Sequence, residues 1–202
     1  MNIDKYGKSN GKFSILINTV DTRGHFLERI LNILNPQLTD DVEILVNNTV
    51  HAKYGGPSIG VKRQQLLEEA TGDYIAYIDD DDIVTENYIS LILDAIKTTP
   101  DVVGMHLLHY DHGNHTGMTY HSLKYDSWQN LQHPDIPNMA LYLRYPNHLN
   151  PVKREYALKV GFVDSNFGED RDYSERLQQY LKTEEYIEEP IYTYLFVSDK
   201  GE

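Results

Sequence analysis

Short apolar runs along this chain alternate with stretches in which apolar residues recur every three or four positions. Residues 13–18 (FSILIN), 42–46 (VEILV) and 74–78 (YIAYI) carry little polar alternation, as expected of strands covered on both faces. After the first run, Phe26, Leu27, Ile30, Leu31 and Leu34 fall on one helical stripe from Gly24 to Leu34, and Pro36 stops the pattern. Residues 59–71 carry Val61, Leu66, Leu67 and Ala70, with Gly72 where a helix C-cap belongs. Thr85 is placed to cap a third helix, whose stripe is Tyr88, Ile89, Ile92, Leu93 and Ile96 and which ends at Pro100. Strands alternating with helices predict right-handed βαβ units and an α/β fold with a mostly parallel, Rossmann-like sheet.

The second half is less regular. VVGMHLLHY at 102–110 and MTYH at 118–121 predict a hairpin around DHGNHTG. Residues 122–146 hold the single tryptophan, Trp128, and prolines 134, 137 and 146, and predict irregular structure. A helix near 153–160, another over about 169–181 and two short strands near 185–189 and 191–197 follow. There is no internal repeat and no linker, and 202 residues suffice for one core, so a single domain over 1–202 is expected.

Composition narrows the function classes. Eighteen Lys and Arg against 31 Asp and Glu give a net charge of -13, which argues against bulk binding to nucleic acid or anionic membranes. The absence of cysteine rules out disulfides and cysteine-based zinc sites and fits a reducing compartment. The start, MNIDKYGKSNGK, does not resemble a signal peptide, and no run of about 20 apolar residues is present to span a bilayer. A soluble, cytoplasmic protein with no integral membrane segment is expected.

Against that background the run YIDDDDIV at 77–84 stands out: four carboxylates follow an apolar strand directly. In open α/β sheets ligands sit beyond the carboxyl ends of the strands, which is where Asp79 to Asp82 fall. Two carboxylates about 4 Å apart repel by roughly 4 kcal/mol at an effective dielectric of 20, so such a cluster calls for protons, cations or splaying. The dipole of a following helix offsets only a few tenths to about 1 kcal/mol per acid. Oxygen ligands without cysteine point to Mn²⁺ or Mg²⁺, and hence to a substrate carrying a diphosphate.

ATGDYIAYIDDDD, Ala70 to Asp82, resembles the leader and Asp-x-Asp motif of the family-2 glycosyltransferases of the GT-A fold. The resemblance implies a nucleotide-sugar-binding half at about 13–100 and an acceptor-binding half at about 101–202. It implies that Asp81 binds the metal, and that Asp79 and Asp80 hold ribose or complete the metal shell. SIGVKRQQLLEEA at 58–70 is similar to the family segment whose basic residue reaches the donor, which brings in Lys62 and Arg63. On the residues alone, both also read as a solvated helix face partnered by Glu68 and Glu69, the reading favoured for Lys62. Thr19 matches a family turn after the first strand, although the family's proline is missing, and Asp21 and Arg23 complete the donor loop. Where the family often has an aspartate for the uracil N3–H, this chain has Asn47 and Asn48; an amide oxygen at Asn48 can still accept that hydrogen. A UDP-sugar is the favoured donor and the acceptor is an unidentified hydroxyl.

FGEDRDYSERL at 167–177 is similar to the family's Gly-Glu-Asp signature at a helix start. Asp170 is the expected base of an inverting transfer, with Glu169 orienting the acceptor or backbone; Asp170, Tyr173 and Leu177 share a helical face. Acids are also common at helix N-termini for dipole reasons alone. Asp172 reads as a partner for Arg176. His148, in PNHLNPVKR, falls near the expected diphosphate, as a metal ligand or as a packed structural residue. His106, His109, His112 and His115 recur every third residue, a spacing that scatters them over both faces of a hairpin and disfavours zinc. Trp128 is either a sugar-stacking ring or a buried aromatic. Two rival classes remain: a haloacid-dehalogenase-like phosphatase using Asp79 as nucleophile, and a nucleotide-sugar binder, or a nucleotidyltransferase of related topology, that has no need of Asp170.

Overall fold

In the computed structural model, which describes residues 3–196, the chain runs β1 (Ile3–Ser9), β2 (Phe13–Thr19), α1 (Gly24–Leu34), β3 (Asp41–Asn48), α2 (Ile59–Glu69) and β4 (Tyr74–Asp79). The three apolar runs become β2, β3 and β4, and β2 lies parallel to both of the others. Their alternation feeds two layers. Ile15, Ile17, Ile44, Val46, Ala76 and Ile78 pack with the helix stripe Leu27, Ile30, Leu31 and Leu34 on one face. Leu16, Leu45, Ile75 and Tyr77 pack with Leu66 and Leu67 on the other. The βαβ expectation therefore holds. The strand β1 lies outside it: antiparallel to β3 at the sheet edge, it is joined through its backbone and leaves little apolar signature in Ile3-Asp4-Lys5-Tyr6-Gly7.

The chain continues with β5 (Ile83–Val84), α3 (Tyr88–Ala95), β6 (Val102–Asp111), β7 (Asn114–His121), β8 (Gln129–Gln132), β9 (Ala140–Arg144), β10 (Val152–Lys153), α4 (Arg154–Val160), α5 (Glu169–Leu177) and β11 (Glu184–Phe196). Among the described residues all strands join one eleven-stranded sheet, with path β1-β3-β2-β4-β10-β6-β7-β9-β8. β11 lies parallel to β6 and antiparallel to β5. The sheet is parallel at its centre and mixed beyond β4, with helices on both faces: an α/β arrangement.

Five local expectations change. Residues 122–146 are not irregular throughout: β8 pairs with β9, and β9 runs parallel to β7. All four residues of β8 are exposed, so no buried face marks it in the sequence. The two last strands are one, β11, with a register shift between Ile187 and Tyr192 that accommodates Pro190; residue 197 lies outside the described residues. The third helix starts at Tyr88, because the Thr85 backbone N–H donates to the Ile191 carbonyl (3.1 Å) and is drawn toward strand pairing. Gly72 is not a helix cap; α2 ends at Glu69, and a Cβ at 72 would meet the Ser14 nitrogen at 2.7 Å. That close approach serves a buried network in which the Glu43 carboxylate accepts from Ser14 (2.6 Å) and from Thr71 N–H (2.7 Å). The hairpin turn is tighter than its seven polar residues imply, since His112 and Gly113 both take positive φ, 47° and 79°.

Candidate active site

The strands β2, β3 and β4 end level with one another: Asn18 stands opposite Asp79, and Thr19 opposite Asn48. The acidic run turns back at once, with the Asp82 N–H donating to the Asp79 carbonyl (3.1 Å). Each carboxylate has found a partner. Arg63 Nη2 lies 3.1 Å from Asp79 Oδ1. Arg23 Nη2 lies 2.9 Å from Asp80 Oδ1 and 2.9 Å from Asp81 Oδ2. The Tyr192 hydroxyl donates to Asp82 Oδ2 (2.7 Å) and the Leu195 N–H to Oδ1 (2.9 Å). Thr19 donates to Asp80 Oδ2 at 2.6 Å.

Partners and burial pull in opposite directions. Burial is the largest influence on Asp80 and, with the neighbouring Asp81 and Asp79, outweighs Thr19 and Arg23, pushing its carboxyl up to about 6. Burial and Asp79 also raise the Asp82 carboxyl well above its ordinary value. For Asp79, burial is overcome by the His148 ring and Arg63, which hold it well below the usual carboxylate range. Its side chain keeps 34% of its surface, the most open of the first three. The cluster thus persists through two arginines and through the Thr19, Tyr192 and Leu195 donors, with the Asp80 and Asp82 carboxyls raised.

The basic pair at 62 and 63 is buried, and the expected partners Glu68 and Glu69 bind Gln64 and Lys5. Lys62 Nζ donates to the carbonyls of Thr19 (3.0 Å) and Thr49 (2.8 Å), stapling the ends of β2 and β3, and burial lowers its pKa against Asp21 and Asp80. The solvated-face reading of Lys62 is therefore corrected. Asp21 is exposed on the turn Asp21–Arg23 that follows β2. Asn47 donates to Gln65 (3.0 Å), whereas the buried Oδ1 of Asn48 has no partner among the described residues.

His148 is buried, and neither ring nitrogen has a hydrogen-bond partner among the described residues; Nε2 lies 3.8 Å from Asp79 Oδ2. Behind it, His121 meets Asn150 Oδ1 (2.9 Å), while Asn150 donates to the Val103 carbonyl (2.9 Å) and accepts from Asn147 N–H (3.0 Å). Among the described residues no three His, Asp or Glu side chains converge as a ready cation cage. The pair that fits a hard dication is Asp79 with His148, because orphaned ring nitrogens face a partly open carboxylate. Mg²⁺ is commonly held by one or two protein carboxylates and completed by water and substrate phosphates.

On the far wall, α5 begins with Glu169 and Asp170. Glu169 is buried and its Oε1 accepts from Arg63 Nη1 (2.9 Å), so this carboxylate is already engaged. Asp170 is half-buried and has no side-chain partner among the described residues, while Tyr173 and Leu177 of its helix are fully buried. Asp172 pairs with Arg176. Arg171 and Arg144 both lie over the half-buried Trp128 ring, at 5.4 and 4.8 Å, so the tryptophan stands beside the start of α5. The histidines at 106, 109, 112 and 115 are dispersed: His106 stacks on Tyr120, His109 meets Thr119 (2.7 Å), and His112 pairs with Asp111 at the turn.

Two participants left no local trace in the sequence. Tyr192 lies 110 residues from the Asp82 it binds. Arg29, whose Nη2 donates to the Asp81 carbonyl (2.6 Å), shares the Phe26 ring with Arg23. The i, i+3, i+6 spacing of Arg23, Phe26 and Arg29 places the three on one helical face but carries no sign of the contact with Asp81.

The described residues contain no helix long and apolar enough to cross a membrane. No curated protein sequence matches the chain. Among solved structures, Staphylococcus aureus TarS 1-349 in complex with UDP-GlcNAc superposes with a TM-score of 0.64 at 10% identity, covering 93% of this chain and 59% of that one. The same fragment in complex with UDP gives 0.62 at 12% identity, covering 94% and 62%. S. aureus TarS gives 0.61 at 10% identity, covering 94% and 37%. At such identities the likeness is one of fold, and this chain spans about three fifths of the length of the TarS fragment. The family model described as glycosyl transferase family 2 matches residues 56–149, which include Lys62, Arg63, the acidic run and His148. Over that span the chain is similar to the glycosyl transferase family 2, and the fold that carries it is the one shared with the TarS structures.

Proposed function

We propose that this chain transfers a sugar from a nucleoside-diphosphate sugar, a UDP-sugar, to an acceptor hydroxyl with inversion. The observation that carries the reading is Asp170, without a side-chain partner among the described residues at the head of α5 and joined through Glu169 and Arg63 to the acidic loop. Asp170 takes the proton of the acceptor hydroxyl as that oxygen bonds to the anomeric carbon and the bond from that carbon to the diphosphate breaks. A bound Mn²⁺ or Mg²⁺ supplies positive charge for the departing diphosphate. Asp79 and His148 would hold it, with Asp81 joining from its pair with Arg23. Thr19, Asp21, Arg23, Lys62, Asp80 and Asn48 shape the donor side, and the orphaned Asn48 Oδ1 suits a uracil N3–H. The UDP and UDP-GlcNAc named for the TarS structures support the choice of donor. The phosphatase alternative fits less well, because Arg63 occupies the Asp79 carboxylate it would need as nucleophile. The cysteine-free sequence supports a cytoplasmic setting.

With Mn²⁺ present, a panel of UDP, GDP, dTDP and CMP sugars should yield one donor that raises the melting temperature or is slowly hydrolysed. Silence from the whole panel would remove the donor site. Asp170→Asn should keep donor binding and lower turnover by about 10²–10⁴-fold. Asp79→Ala should lose metal-dependent donor binding.

A further inference from the structure

We propose that Arg63 and Glu169 are a positioning pair that fixes the base, Asp170, relative to the diphosphate end of the site. The proposal rests on the reading of Asp170 as base. Arg63 is 5% exposed, and its two terminal nitrogens are divided between Asp79 Oδ1 (3.1 Å) and Glu169 Oε1 (2.9 Å). Its guanidinium is walled by the rings of Tyr77 (5.8 Å) and Phe162 (5.9 Å), and Phe162 stacks at 4.3 Å on Tyr173 of α5. The Arg63 carbonyl also accepts from the Tyr77 hydroxyl (2.7 Å). Arginine can serve two acids at once because its planar fork presents donors in fixed directions, which an ammonium cannot reproduce.

This geometry assigns both residues away from contact with substrate. Arg63 has little surface to offer a diphosphate, and Glu169 has given its carboxylate to an arginine at the position next to Asp170. Arg63 reaches 16 residues along the chain to Asp79 and 106 to Glu169, and so links the acidic loop to the start of α5. A misplacement of about 1 Å is enough to cost on the order of 10²-fold in rate, so a fixed link between these walls matters for turnover more than for donor affinity.

The test uses the full chain, with Mn²⁺ and UDP as the binding probe and UDP-GlcNAc hydrolysis as the turnover probe. Glu169→Gln is expected to lower kcat by about 10–100-fold, with KM and the UDP Kd within about twofold of wild type. Backbone hydrogen exchange over residues 165–172 is expected to rise in the same variant, and Glu169→Asp to restore part of kcat. Arg63→Lys keeps the charge but spans only one acid, so it should show the same split and serves as the test if Glu169→Gln fails to fold. An unchanged kcat in both variants overturns the proposal. So does a collapse of UDP affinity in step with kcat, which would make Arg63 a donor contact. Wild-type turnover in Asp170→Asn would instead overturn the base assignment, whatever Glu169 does.

Discussion

Asp80 keeps only 3% of its side chain exposed, and its carboxyl is raised to about 6 because burial outweighs Thr19 and Arg23. A carboxyl raised in the folded state binds its proton more tightly there than in the unfolded chain, whose value is near 3.9. Its stabilising contribution is therefore complete below about 4 and is lost as pH rises through about 6, a span worth about 3 kcal/mol. Asp82, also raised, acts in the same direction, whereas Asp79 and Asp101 are held low and withdraw stability only in stronger acid. Without nucleotide or metal, the melting temperature should rise as pH falls from 7 to 5, and Asp80→Asn should flatten that rise. A wild-type curve that falls over this interval would mean that burial does not hold the Asp80 proton. The acidic run itself was plain in the sequence. Its neutralisation was not, since Arg23, Arg63 and Tyr192 reach it from three separate elements.

At the scale of elements, periodicity located what is buried and missed what is held by backbone alone. β2, β3, β4 and α1 were legible because their side chains enter the two core layers. β1 and β8 were not, because edge strands of polar residues pair through N–H and C=O groups that any sequence carries. α5 was legible at its start, yet the Arg63–Glu169 bond that anchors it joins residues 106 apart. Gly60 shows how the anchoring loop is packed: a Cβ there would meet the Val163 carbonyl oxygen at 1.8 Å, and the Gly60 N–H donates to the Ser165 carbonyl (3.0 Å). Gly60→Ala should cost about 1–3 kcal/mol despite the better helix propensity of alanine, lowering Tm by about 3–10 °C. Thermal unfolding checks this, and a raised Tm would mean that the 163–165 segment yields freely.

For the whole molecule, the sheet runs without a break from the strands before residue 100 to those after it. β10 pairs with β4 on one side and β6 on the other, so a strand from the second half sits between the two and carries the sheet across. β11 reaches back to β5 beside the acidic loop. With no seam between the halves, unfolding should be a single cooperative transition, with calorimetric and van't Hoff enthalpies in agreement. Two resolved transitions in scanning calorimetry would show that the halves melt separately.

The bonds from Tyr192 and Leu195 to Asp82 cross 110 and 113 residues. At translation speeds of about 5–20 residues per second, Asp82 waits roughly 5–20 s for them after it is made. A nascent chain stalled before Tyr192 clears the ribosome would carry Asp82 without these two donors, so on the proposed function its nucleotide affinity is expected to be low and to rise once β11 is released.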